Sequence, residues 1–183
     1  IVTPNKRANS MDTAFYKNLR SVANRMHRRF LYETNVGAGL PVMDTLQNLI
    51  KSGDKLMRFS GIMSGSLSYI FGRLDDGVPF SKAVHEAKKK GFTEPDPRDD
   101  LGGADAARKV LIIAREAGIT CELSDIKTDR IFPADFDESG TIEEFLQKLP
   151  ALDAFFAEKL AALKKEGKVL RMGGTIENGV CRV

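Results

Sequence analysis

From Glu94 to Lys109 the chain gathers five carboxylates, two arginines and a lysine into sixteen residues, with Pro95 and Pro97 among them. Each proline fixes its own φ and pushes its predecessor, Glu94 or Asp96, out of the helical region toward extended backbone. The segment is therefore a stiff charged arm that feeds a helix, not a floppy acidic loop. Beyond it Ala107, Val110, Leu111 and Ala114 recur at helical spacing, which predicts one apolar face. Asp105 and Lys109 stand four apart on another face. Such a pair is ordinarily a surface ion pair of small worth. Here more carboxylates are present than capping one helix requires, and that excess marks a candidate site.

A chain of 183 residues, 42% hydrophobic and 29% charged, can bury one sizeable core and has the composition of an ordinary globular protein. No apolar run approaches the roughly 20 residues of a membrane span. The start, Ile1-Val2-Thr3-Pro4, has neither an initiator Met nor a signal-peptide pattern, and reads as the interior of a longer chain. Cys121 and Cys181 are far apart in sequence, with no CxxC motif; free thiols in a reducing cytoplasm are expected. Net charge is +3, and the basic clusters Arg25/His27-Arg28-Arg29 and Lys88-Lys89-Lys90 fall at predicted helix ends, where cations suit the dipole. They lack interleaved aromatics, so no nucleic-acid partner is expected.

In chain order, residues 1–3 read as a strand end. Ser10 is expected to cap a helix with the inward stripe Phe15, Leu19, Val22 and Met26, and Phe30-Leu31-Tyr32 to form a short buried strand. A small-residue loop, Thr34 to Leu40, leads through Pro41 into a helix that buries Met43, Leu46 and Ile50 and stops at Gly53. Lys55–Met63 reads as a strand, Ser64 as a helix entrance and Ser81 as the cap of a short helix ending at the triple lysine. Thr141 and Glu144 make a capping box. Pro150 opens a helix with Leu152, Phe156, Leu160 and Leu163 inward. Lys168–Met172 reads as a strand and Asn178-Gly179 as a hairpin turn into a return strand from Val180. One α+β domain over residues 1–183 is the economical division.

Several short motifs invite chemistry. Val36-Gly37-Ala38-Gly39 follows a strand and precedes a helix, but the dinucleotide fingerprint needs a third glycine where Val42 stands. Exposed carbonyls in that turn beside Glu33 would suit a hard cation; plain strand-to-helix packing is the alternative. Ser64-Gly65-Ser66 places hydroxyls and free amides at a helix N-terminus, either an anion site or a simple cap. Lys6, His27 and His85 each read as solvated side chains, and no Gly-x-Ser-x-Gly elbow is present.

Val2-Thr3-Pro4-Asn5-Lys6, the block Glu33 to Pro41, Ser60-Gly61-Ile62-Met63-Ser64-Gly65-Ser66-Leu67-Ser68-Tyr69-Ile70, and Thr93 to Lys109 together resemble homoserine dehydrogenase. The likeness is to the dehydrogenase part of bifunctional aspartokinase–homoserine dehydrogenases and spans essentially the whole chain. It implies an α+β catalytic and dimerisation domain, a mixed β-sheet packed against helices, without the family's N-terminal Rossmann domain. It further implies NAD- or NADP-dependent interconversion of L-homoserine and L-aspartate 4-semialdehyde in threonine and methionine biosynthesis. A homodimer, an upstream fused aspartokinase, a cytoplasmic location and no membrane partner go with it. By the same resemblance Lys109 would be the acid/base and Glu94 would hold the substrate ammonium. Asp100 and Asp105 would complete the polar pocket, Gly65 and Ser66 would meet the substrate, and Lys6 would lie near substrate and nicotinamide. Glu33, Val36, Ala38 and Leu40 would bind a monovalent cation such as sodium. Some relatives carry Tyr where this chain has Phe92, and a hydroxyl contact is lost there. Two other readings remain open: a dimerisation fragment without catalysis, and a divalent-cation site built from Asp96, Asp99 and Asp100.

Overall fold

The computed structural model describes residues 1–183. It runs α1 (Arg7–Ser10), α2 (Thr13–Arg25), α3 (Val42–Lys51), β1 (Arg58–Ile62), α4 (Gly65–Asp75), α5 (Phe80–Lys89), α6 (Pro97–Leu101), α7 (Ala104–Glu116), α8 (Ile142–Lys148), α9 (Asp153–Lys165), β2 (Gly173–Glu177) and β3 (Val180–Arg182). The class is the expected α+β. Contacts between Cα atoms cluster into two compact units. The first is Ile1–Met63, Asp105–Asp129 and Gly173–Val183; the second is Ser64–Ala104 and Arg130–Met172.

The first unit is built on a three-stranded antiparallel sheet ordered β1-β2-β3, in which Ile62 lies opposite Gly173 and Glu177 opposite Val180. A single parallel bridge, Lys127 to Arg182, adds to the outer side of β3. The β2–β3 turn is Asn178-Gly179, with φ +51 and +76, the paired positive values that a two-residue hairpin demands and that Asn-Gly supplies at least cost. In α7 Val110, Leu111, Ile112, Ile113 and Ala114 are all buried, so this helix is apolar around its circumference there, not on one face. Gly174 on β2 faces Val110: a Cβ at that position would collide with Val110 Cγ2 and stand 3.1 Å from Met63 Cγ.

In the second unit α4, α5, α8 and α9 close over a core of Leu67, Ile70, Phe71, Phe80, Phe145 and Phe156. The capping box at Thr141 and Glu144 forms as expected.

Local expectations fail in informative places. The cap of α2 is Asp12, whose carboxylate accepts from the Phe15 amide, whereas Ser10 ends the preceding turn. The stripe on that helix is not buried: Phe15, Val22 and Met26 are exposed. Residues 1–3 and 30–32 contribute only the parallel bridge Val2 to Leu31. Ser81 lies inside α5 behind Pro79, and its amide and hydroxyl bind Asp153 instead. Strand β2 begins at Gly173, directly after the Lys168–Met172 run expected as a strand.

Candidate functional site

Pro97 starts α6, and Asp96 before it is extended (φ −101, ψ 108), as a residue preceding proline must be. The Asp96 carboxylate accepts from the Arg98 amide at 3.0 Å and pairs with the Arg98 guanidinium at 2.6 Å. That guanidinium bond holds the Asp96 carboxyl below its ordinary pKa. Arg98 also donates to the carbonyls of Glu138 and Gly140 at 3.0 and 2.9 Å, which ties the arm to the segment before α8. Asp100 faces the other way. One of its oxygens accepts from the Ser66 hydroxyl at 2.7 Å and the other from the Glu94 amide at 2.8 Å. Ser66 in turn lies 2.8 Å from the Ser64 hydroxyl, which caps α4 by accepting from the Leu67 amide. Lys88 donates to the Pro95 carbonyl at 2.9 Å. The second unit thus holds Ser64, Ser66, Asp100 and the Glu94 backbone in one hydrogen-bonded row, with the Glu94 carboxylate exposed. Phe92, half exposed, packs edge-on against Tyr69 at 5.0 Å between ring centroids.

The first unit holds the remaining members. Asp105 on the first turn of α7 pairs with Lys109 one turn later at 2.9 Å and with Lys6 at 3.1 Å. The Lys109 ammonium also donates to the Met63 carbonyl at 2.6 Å, and its side chain is 18% exposed. Burial pushes the Asp105 carboxyl up, but hydrogen bonds and charge from Lys109 and Lys6 outweigh this and leave it below the ordinary carboxylate value. An ammonium has three N–H donors; Lys109 has committed two, and one remains for an incoming oxygen. Lys6 is held by an Asn5 turn, in which the Arg7 amide donates to Asn5 Oδ1 at 2.8 Å.

Glu33 stands at the N-terminus of α3, where its two carboxylate oxygens accept from the Met43 and Asp44 amides at 3.0 and 2.8 Å. The turn before it has Gly37 at φ +86 and Ala38 at φ +50. A phosphate placed there would meet a carboxylate already seated on the helix amides, so this turn does not fit a dinucleotide. The oxygen-rich set of Glu33 with the carbonyls of Val36, Ala38 and Leu40 does match the donor chemistry of a hard monovalent cation.

The divalent-cation reading of Asp96, Asp99 and Asp100 is overturned. No group of three His, Cys, Asp or Glu side chains is placed to hold a metal ion, and Asp96 and Asp100 are engaged by Arg98, Ser66 and the Glu94 amide. Sequence reasoning missed the Met63 carbonyl and the Arg98 clamp, since partners so distant in the chain leave no local signal. It also missed a polar cluster in the first unit, where Tyr16, Arg20, Tyr32 and Gln47 all bind the carboxylate of Glu116. Burial, and then the Glu116 charge, push the Tyr16 hydroxyl up to about 12. Cys121 and Cys181 are free thiols that perturb one another; burial first, then Cys181, pushes Cys121 up to about 11.

The fold is α+β, with a lysine–carboxylate cluster at the start of one helix. The chain belongs to the homoserine dehydrogenase family, which it matches over residues 41–183. It is 53% identical over its full length to the bifunctional aspartokinase/homoserine dehydrogenase of Haemophilus influenzae, and 39% identical to the Escherichia coli bifunctional aspartokinase/homoserine dehydrogenase 2. It spans 22% and 23% of those two proteins. Among solved structures it resembles a Candida auris protein of unknown function at TM-score 0.93 and 38% identity, covering all of this chain and 53% of that one. A putative homoserine dehydrogenase from Archaeoglobus fulgidus shares the fold at TM-score 0.78 and 24% identity, over the whole chain and 49% of that protein. No helix is long and apolar enough to cross a membrane.

Proposed function

We propose that this chain supplies the substrate-binding and proton-transfer groups of an enzyme that interconverts L-homoserine and L-aspartate 4-semialdehyde with NAD or NADP. The observation that carries the reading is the ammonium of Lys109, held by Asp105 and the Met63 carbonyl with one donor uncommitted. An aldehyde oxygen that gains charge needs such a donor, and the same group takes the hydroxyl proton in the reverse direction. Asp105 orients Lys109 and Lys6 at once. Glu94 offers its carboxylate to the substrate ammonium, with its backbone fixed by Asp100 and its direction by Pro95. Ser66 and Gly65, at the start of α4, contribute a hydroxyl and an amide to the same amino-acid substrate. A sodium ion at Glu33, Val36, Ala38 and Leu40 would tie the turn before α3 and supply no proton or electron.

The hydride carrier is a nicotinamide cofactor held by protein outside residues 1–183, since the turn before α3 does not fit it. A homodimer in the cytoplasm, with an aspartokinase on the same polypeptide as in the bifunctional relatives, completes the proposal. The test is homoserine oxidation by the full-length protein. Lys109→Ala is expected to lower kcat about 10²- to 10⁴-fold with far-UV circular dichroism unchanged, and unchanged turnover rejects the role of Lys109. Calorimetry of residues 1–183 with NADPH is expected to show no binding, and tight binding would refute the division of labour.

A further inference from the structure

The second unit contains a cleft of about 690 Å³ that plays no part in the chemistry above. It lies among the end of α4, the start of α5 and one face of α9. Its floor is Leu74, Phe80 and Phe156, all deeply buried, with the two phenylalanine rings stacked at 4.0 Å between centroids. Ala157 and Ala161 on α9 keep the space open because they fill so little of it, and Val169 closes another side. The volume falls in the range of small-molecule sites, roughly 300–1,000 Å³, and the lining is apolar as such sites are.

The rim decides the ligand. Four ionic side chains reach the cleft: Asp75, Asp153, Lys164 and Lys168. Asp75 pairs with Arg171 at 2.6 Å, and Asp153 accepts from the Ser81 amide and hydroxyl at 2.7 and 2.8 Å. Lys168 pairs with Glu166 at 2.6 Å. Lys164 alone has no partner. Arg171 already neutralises Asp75, and Asp153 already accepts from Ser81 through both oxygens, which leaves an arriving ammonium a weaker site than an unpaired carboxylate would offer. An anionic head would find Lys164. We propose that this cleft binds a small amphiphile with an apolar body and a single carboxylate, the chemistry of a medium-chain fatty acid. The proposal is independent of the function argued above.

The test titrates sodium octanoate, 1-octanol, octylamine and phenylalanine into the protein by calorimetry, with amide shifts from NMR to place the site. Octanoate is expected to bind at one site and to shift the amides of Gly77, Ala157 and Val169, with octylamine and phenylalanine silent. Ala157→Trp, at an exposed helix position where folding is not at stake, is expected to abolish binding. Lys164→Glu is expected to weaken octanoate about fivefold or more, the factor of one partly exposed charge contact, and to leave octanol unchanged. Absence of octanoate binding, equal binding of octylamine, or full binding by Ala157→Trp overturns the proposal. So does a sedimentation result in which Ala157→Trp turns a dimer into a monomer, which would make a second copy the occupant.

Discussion

Replacing Gly174 with alanine tests the seating of α7 on the sheet. The new methyl would meet Val110 Cγ2 well inside contact distance and Met63 Cγ at 3.1 Å, and Val110 is wholly buried. Carbon atoms rest about 3.5–4.0 Å apart, so the helix or the Val110 side chain must move by about 1 Å. Overpacking of that kind costs about 1–3 kcal/mol. The alanine returns about 0.4–1 kcal/mol by restricting the unfolded chain. The expected net loss is therefore about 1–2 kcal/mol, or about 2–8 °C in Tm for a chain of this size. Val110→Ala alone leaves a cavity and costs about 2 kcal/mol, but it removes the colliding methyl. Urea denaturation of the parent, both single variants and the double variant forms the assay. The double variant should lose about 1 kcal/mol less than the sum of the singles. Additive losses, or a Gly174→Ala protein as stable as its parent, would refute the packing argument. Activity should fall with stability, because α7 carries Asp105 and Lys109 and Met63 supplies the carbonyl that Lys109 binds.

The other expectations are simpler. Asp105 has its folded pKa below the ordinary carboxylate value, so its ion pairs stabilise above about pH 4 and are lost as pH falls through the folded value. The gap in urea midpoint between parent and Asp105→Asn should be constant from pH 6 to 7 and shrink toward pH 3; a gap that widens in acid contradicts the assignment. Asn178→Val should cost roughly 1–2 kcal/mol, because a β-branched residue resists φ +51, while Asn178→Gly should be near neutral in the same denaturant assay. Glu33→Ala should cost about 1 kcal/mol and speed hydrogen exchange at the Met43 and Asp44 amides, and unchanged exchange there would reject Glu33 as their cap.

Local chemistry was legible in the sequence where it depends on neighbours. The Thr141–Glu144 box, the Asn178-Gly179 turn and the extended Asp96 before Pro97 all follow from residues within reach of one another. The Asp105–Lys109 pair was equally readable, and forms. What could not be read depends on distant packing. Gly173 and Gly174 have poor strand propensity, yet they pair with β1, and at Gly174 Val110 of α7 approaches where no side chain fits; the run Lys168–Met172 made the more plausible strand. The charged Arg98 and Glu116 look like solvated surface in a one-dimensional reading. Their carbonyl and tyrosine partners lie tens of residues away, so only the folded chain reveals the clamp and the cluster.

The interleaving of the two units has a consequence for how the protein is made. Every residue of the second unit has been synthesised once Met172 is added, so that unit can close its aromatic core early. The first unit waits longer. Its strand β1 must remain unpaired until β2 and β3 emerge at the end of this stretch, with Ile62 reserved for Gly173. A strand edge left without its partner for that interval is an aggregation hazard during translation. Its first half, Arg58 and Ser60 among glycine and aromatic neighbours, carries a charge and a hydroxyl that blunt the hazard while the partner is still unmade.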